Sequence, residues 1–304
     1  MAADTFTDRG ADEFEAHRSL LTGVAYRMLG SLADAEDVVQ EAWLRWTGSD
    51  RSEVREVRAY LVRITTRLAI DRLRHLQSRR EAYVGPWLPE PIATGFAGPG
   101  TAAAEATADG AERAVLAESV SLAFLVVLES LSPLERAVFV LREAFGFSYA
   151  EIAAALDRAE PAVRQLGMRA RKHVDARKPR FDVDPVQRRK LTEGFLAAAG
   201  GGDLAGLMEL LAPDACLVAD SGGKTRAPKR IIESADKVGR FLLGVAERPV
   251  PDMSYRFVEL NGGPAVVLLS AGKPDTVFQV DIREGRIQSV YILRNPDKLA
   301  LIVV

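Results

Sequence analysis

Arg164, Arg169, Arg171 and Lys172 recur in a stretch whose apolar residues, Val163, Leu166, Ala170 and Val174, keep helical spacing. On such a helix Arg164, Met168 and Arg171 fall on the outer face. Arg169 and Lys172 flank it, with Gln165 beside them. Guanidinium and ammonium groups only donate hydrogen bonds, and a helix entering a major groove needs such donors for base edges and phosphates. A second set could do acid–base work: Asp220 and Asp281, with Tyr255 and Tyr291 as donors. A carboxylate in an apolar cavity would have the raised pKa this chemistry wants. The plainer reading gives these acids structural places. Asp220 heads the turn Asp220-Ser-Gly-Gly-Lys224, where Asp caps backbone N–H groups, and Asp281 sits on an alternating strand and faces solvent. No histidine lies in 182–304, so His-based general acid–base catalysis is unavailable there; no catalytic residue and no cofactor is expected.

The elements that position the basic set are punctuated by caps. Ser132-Pro133 with Glu135 opens one helix, which Gly146 ends, and Ser148 with Glu151 opens the next. Asp157–Glu160 makes a turn, and Pro161 sits at the first position of the third helix, where a residue may lack its N–H. Helix, turn and basic helix make a helix-turn-helix over 131–174; a three-helix bundle with a solvated basic face is the bland alternative. Gly167, in mid-helix, is a poor helix former.

The net charge of −2 excludes bulk-charge coating of nucleic acid, but the charge is segregated. Residues 51–80 hold nine Lys/Arg against three acids and 161–181 hold seven against one, in acidic surroundings, which suggests two local phosphate contacts. Cys216 is the only cysteine and the three histidines are scattered, so neither a disulfide framework nor a metal site is expected. No apolar leader or spanning run is evident, which predicts a cytoplasmic protein that does not engage membranes.

Residues 8–82 read as helical. Phe14, Leu21, Val24, Ala25 and Met28 form one stripe; Ala35, Val38, Val39, Ala42 and Trp46 a second; Val57, Leu61, Ile64 and Leu68 a third. Opposite the second stripe stand Asp37, Gln40, Glu41 and Leu44, an acidic face with one apolar residue that suits a protein partner. Arg63, Arg67 and Arg74 lie along the next helix, which ends Arg79-Arg80, with Tyr60 available to unstacked bases. Residues 83–112 form a Gly/Pro/Ala-rich linker carrying Trp87-Leu88-Pro89-Glu90-Pro91, whose prolines fix an extended path. Residues 113–178 hold the helix-turn-helix. From 182 the character changes. Helices are expected at 185–199, after Asp203 and at 229–246, then strands at 253–260, 264–271, 276–282 and 286–294 with hairpin turns between them. This is an α+β unit with a curved sheet over helices.

Asp34–Trp46, Arg58–Arg74 and 131–174, in that order, resemble the two domains of extracytoplasmic-function sigma factors, the promoter-specificity subunits of bacterial RNA polymerase. The resemblance implies two all-α sigma domains. Asp34–Trp46 would dock on the β′ clamp helices of core polymerase, which also engages the factor through its β subunit. The Tyr60–Arg80 helix would recognise and melt the −10 element, and Pro161–His173 would read the −35 element. The remainder resembles a SnoaL-like, NTF2-like cone-fold domain. With the Trp87–Pro91 motif, Asp220–Lys224 (Gly222 and Gly223 included) and Asn295-Pro296-Asp297-Lys298-Leu299, the chain is similar to the SigJ-like group. That resemblance implies regulation in cis by the fused domain, with Trp87 and its prolines bridging the promoter-binding domains and the cone. It leaves open a small ligand in the C-terminal pocket. The alternatives are a ligand-responsive helix-turn-helix regulator, or a cyclase- or isomerase-type enzyme with a DNA-binding appendage.

Overall fold

A computed structural model describes residues 2–50, 54–80, 82–95, 121–176, 184–247, 252–300 and 302. It divides into two units: Met1–Glu81 with Phe124–Lys178, and Ala82–Ala123 with Pro179–Val304.

In unit 1, α1 (Ala2–Leu29), α2 (Leu32–Gly48) and α3 (Val57–Arg80) pack together. The first two apolar stripes are buried as their spacing predicts. The third is displaced: Leu61, Val62, Thr65, Thr66, Ala69, Ile70 and Leu73 turn inward, while Val57, Ile64 and Leu68 are half-buried. Two threonines inside the inward face hide the period from an apolar count. Then come α4 (Leu122–Leu128), α5 (Pro133–Phe139) running into one π-helical turn at Val140–Ala144, α6 (Tyr149–Leu156) and α7 (Glu160–Asp175). Both expected capping boxes form, Ser132 with Glu135 and Ser148 with Glu151. Asp157 takes the left-handed conformation that ends α6.

Unit 2 is a seven-stranded sheet in the order β1-β4-β5-β6-β7-β2-β3. Its helices α8 (Pro185–Gly200), α9 (Leu204–Leu210) and α10 (Ala235–Ala246) share one core with one face of the sheet; Phe195, Leu207 and Val238 meet Leu217, Val280 and Val290 there. This is the α+β cone architecture. β4 (Met253–Leu260), β5 (Gly263–Ser270), β6 (Lys273–Arg283) and β7 (Arg286–Leu293) form an antiparallel meander. Asn261-Gly262 turns with both residues at positive φ, the primed hairpin geometry.

Several boundaries differ from expectation. β2 (Leu211–Asp220) was not expected; Pro213 and Asp214 interrupt its apolar run, yet it pairs parallel to β7. β3 (Ile232–Glu233) occupies the start of the predicted third helix, so α10 begins at Ala235. The second hairpin turns at Ala271-Gly272, which puts Pro274-Asp275 inside β6 beside a register shift. β1 (Ala93–Gly95) belongs to the stretch read as linker and pairs with β4. A short α11 (Pro296–Leu299) follows β7 and is capped by Asn295.

Candidate nucleic-acid interface

The basic residues of α7 stand exposed, each arginine against an acid. Arg164 Nε lies 3.0 Å from Glu160 Oε1, Arg169 Nε 3.4 Å from Glu135 Oε1, and Arg171 Nη2 2.5 Å from Glu143 Oε1. The Glu143 carboxylate pushes the Arg171 guanidinium up. Gln165, Met168 and Lys172 share the exposed side. Val163, Gly167, Ala170 and Val174 are buried, so Gly167 joins the inward face and Leu166 is only half-buried. The reason is Tyr149: a Cβ on Gly167 would lie 3.0 Å from its ring and hydroxyl.

On α2, Asp37, Gln40 and Glu41 are exposed, and Leu44 keeps 57% of its surface in solvent. Asp37 lies 3.4 Å from Arg72, which binds Asp34 more closely, and Glu41 pairs with Arg45. On α3, Tyr60 packs tilted against Trp46 with Arg63 5.3 Å over its ring, and Arg74 pairs with Asp71. Arg79 is exposed; the Arg80 side chain lies outside the described residues.

Arg67 is engaged within the protein. Its Nε donates to the Ala155 carbonyl at 2.9 Å, so α3 packs on the first helix of the helix-turn-helix. The same junction has Arg58 4.5 Å over the Phe147 ring and Arg27 4.9 Å over Phe145. Arg136, fully buried, donates from Nε to the Arg27 carbonyl at 2.9 Å and from Nη1 to Glu129 at 2.5 Å. Burial lowers the Arg27 guanidinium from its ordinary value. A cavity of about 580 Å³ opens here, lined by Tyr60, Arg63, Leu141, Phe147, Ile152 and Ala155.

The three short motifs meet inside unit 2. Asp220, completely buried, accepts from Tyr83 Oη at 2.5 Å, Leu88 N at 2.8 Å, Gly222 N at 3.1 Å and Lys298 Nζ at 2.7 Å. Lys298 also donates to the Leu88 carbonyl and sits 4.1 Å from the Trp87 ring centroid. Asn295 donates to Tyr83 Oη at 2.9 Å, and Lys224 pairs with Asp297 at the surface. Gly222 and Gly223 are left-handed, and a Cβ on either would strike Asn295 or Val84. Ser221 keeps an ordinary φ, so the turn is intact. Pro89, Pro91 and Leu299 are buried, Glu90 half-buried, and Pro296 opens α11. Ile92 N donates to Asn261 Oδ1 at 3.1 Å. Tyr83, Arg136 and Tyr149 were not singled out from sequence, and Asn261 only as a hairpin turn; the mid-helix Gly167 was the one local hint, pointing to Tyr149.

Asp220 is consumed by its four donors. Asp281 is buried, not solvent-facing; burial raises its carboxyl, and Arg283 Nε lies 3.1 Å away. Tyr291 is buried with its phenol pushed up by burial and by Asp281, whereas Tyr255 is 64% exposed and stacks edge-on against Phe257. Among the described residues no cluster of potential metal ligands occurs, and no helix is long and apolar enough to cross a membrane.

Residues 14–80 match the family described as Sigma-70 region 2, and 121–174 match Sigma-70, region 4. The chain is 39% identical over 298 residues to the ECF RNA polymerase sigma factor SigJ of Mycobacterium tuberculosis (strain ATCC 25618 / H37Rv), covering 94% of this chain and 92% of that one. The chain belongs to the ECF sigma factors. A probable ECF sigma factor, SigI of the same species, is 33% identical over 287 residues, covering 94% and 93%. The crystal structure of M. tuberculosis SigJ matches with a TM-score of 0.73 at 35% identity, over 95% of this chain and 98% of that one. As an ECF sigma factor with regions 2 and 4, the protein works with core RNA polymerase and promoter DNA in transcription initiation.

Proposed function

We propose that this sigma factor is regulated in cis by its cone domain, which holds the segment between regions 2 and 4. The observation that carries the reading is the Asp220 joint. The chain leaves unit 1 after Glu81, runs through unit 2 to Ala123, and returns to unit 1 at Phe124. Within that excursion Tyr83, Trp87 and Leu88 are fastened to Asp220, Asn295 and Lys298. Two domains that read two promoter elements bind together at an effective concentration set by their tether. A domain that shortens or releases the tether therefore tunes promoter binding.

In this reading Asp37, Gln40, Glu41 and Leu44 dock on the β′ clamp helices, supported by an exposed leucine among acids. Tyr60, Arg63, Arg67, Arg74, Arg79 and Arg80 serve the −10 element. Arg164, Gln165, Met168, Arg169, Arg171 and Lys172 serve the −35 element. Arg67 must leave the Ala155 carbonyl first, and its exposed side chain can do so by rotating. The protein acts in the cytoplasm and catalyses no reaction itself.

Run-off transcription with core polymerase tests this, comparing the full chain, Asp220→Asn and the 1–181 fragment. Release of the tether changes promoter-dependent output in both altered forms. Output equal to the parent's in both removes the regulatory reading and leaves the sigma-factor assignment intact.

A further inference from the structure

We propose that Tyr149 is a positioning residue for promoter reading, acting through Arg164. This rests on the reading of Arg164 as a −35 contact. Tyr149 is the first residue of α6, not of the recognition helix α7, yet its ring lies between the inward Gly167 and the outer Arg164 of α7. The Arg164 guanidinium lies 5.1 Å from the ring centroid, and its Nε and Nη2 lie 3.0 and 2.5 Å from Glu160 Oε1. A second guanidinium, Arg142, sits 4.9 Å from the same centroid and donates to the Phe147 carbonyl. The ring is seated against Gly167, where an ideal Cβ would come within 3.0 Å of Cε1 and Oη. A side chain at this inward position would crowd the ring, and the recognition helix carries a poor helix former there.

Arg164 keeps 59% of its side chain exposed, so it remains reachable by a ligand while aromatic face and carboxylate restrict it. An arginine otherwise spends considerable rotamer entropy on a directional contact. A guanidinium already bracketed loses less, and its planar donors approach a base edge in one orientation. Cation–π attraction uses the ring face and not the hydroxyl. The device therefore depends on an aromatic ring at 149 and is indifferent to the phenol.

The experiment measures holoenzyme binding to a matched promoter and to one with a substituted −35 element. It uses the full chain carrying Tyr149→Phe, Tyr149→Leu, Arg164→Ala and the Tyr149→Leu/Arg164→Ala double change. Leucine keeps apolar bulk on Gly167 and removes the ring face. Tyr149→Phe retains matched-promoter binding and discrimination. Tyr149→Leu weakens matched binding about two- to fivefold, the range of an exposed cation–π contact, and narrows the preference over the substituted promoter. In the Arg164→Ala background the leucine change adds nothing, as expected when the ring acts only through that guanidinium. Equal behaviour of the Phe and Leu variants, or an undiminished Leu effect without Arg164, overturns the positioning role and leaves Arg164 as a contact. An Arg164→Ala protein that binds and discriminates like the parent removes the Arg164 reading and the inference together.

Discussion

Arg136 in unit 1 and Lys298 in unit 2 are both buried cations that join distant parts of the chain, and their surroundings differ. Lys298 faces a carboxylate, a carbonyl and an indole ring, and its partner Asp220 is itself filled by three further donors. Arg136 holds one carbonyl and one carboxylate, while its Nη2 is buried and has no hydrogen-bond partner among the described residues. A buried ion pair stabilises only when its remaining polar atoms are satisfied. The unit 2 joint meets that condition. The unit 1 junction does not, so opening it to water restores solvation to a guanidinium nitrogen. The contrast separates a joint whose polar groups are filled from a region 2–region 4 contact whose buried guanidinium gains solvation on opening.

Removing each cation gives the largest expected difference. Lys298→Met leaves Asp220 buried without its counter-charge and costs about 3–5 kcal/mol of stability in denaturant unfolding. Arg136→Met removes an unsatisfied nitrogen, leaves Glu129 18% exposed and able to hydrate, and strips the Arg27 carbonyl of its donor, so the loss is about 1–3 kcal/mol. Equal losses break the comparison.

A smaller effect comes from Tyr83→Phe, which deletes one charge-assisted bond to Asp220 at a cost of about 1.5–3 kcal/mol. It also carries a pH signature. Burial, then the bond to Asp220, pushes the Tyr83 phenol up. The folded chain keeps that proton where the unfolded chain releases it, so stability is full below about pH 10 and falls as pH rises past it. Tyr291 is shifted in the same direction. Unfolding measured from pH 8 to 11 shows a shallower decline in Tyr83→Phe than in the parent, and a shallower one still when Tyr291→Phe is added.

The smallest effect sharpens the role of burial within the same motif. The Lys224–Asp297 pair is about half or more exposed on both sides. Asp297→Asn changes the unfolding midpoint by the equivalent of about 0–1 kcal/mol, and added salt erases the difference. A loss as large as that of Lys298→Met would show that proximity, not desolvation, sets the strength of this cluster.

What the sequence made legible was local. Ser132 with Glu135 and Ser148 with Glu151 announce helix starts because both partners of a capping box lie within one turn. Asn261-Gly262 announces a hairpin because the backbone conformation itself demands those residues. What stayed hidden was long-range. Asp220 read correctly as a turn cap through Gly222 N, but its bonds to Tyr83 and Leu88 reach back more than 130 residues. Trp87 and its prolines were expected to bridge the promoter-binding domains and the cone; one contact of Trp87, with Lys298, lies inside unit 2. Arg67 looked like one more cation on a helix face, and no periodicity could assign its Nε to the Ala155 carbonyl. β2 escaped because a proline and an aspartate lie at its outer end, where pairing with β7 is irregular.

The excursion of the chain through unit 2 has a consequence for proteolysis. A single backbone cut within 97–120 would leave all three parts of the molecule associated. Region 2 would remain bonded through Glu81 to a segment that Asp220 and Lys298 hold, and region 4 would remain joined to the cone through residues 179–184. Such a nick interrupts the covalent path from region 2 to region 4 without parting the fragments, so nicked protein migrates as one species in native conditions and as two in denaturant.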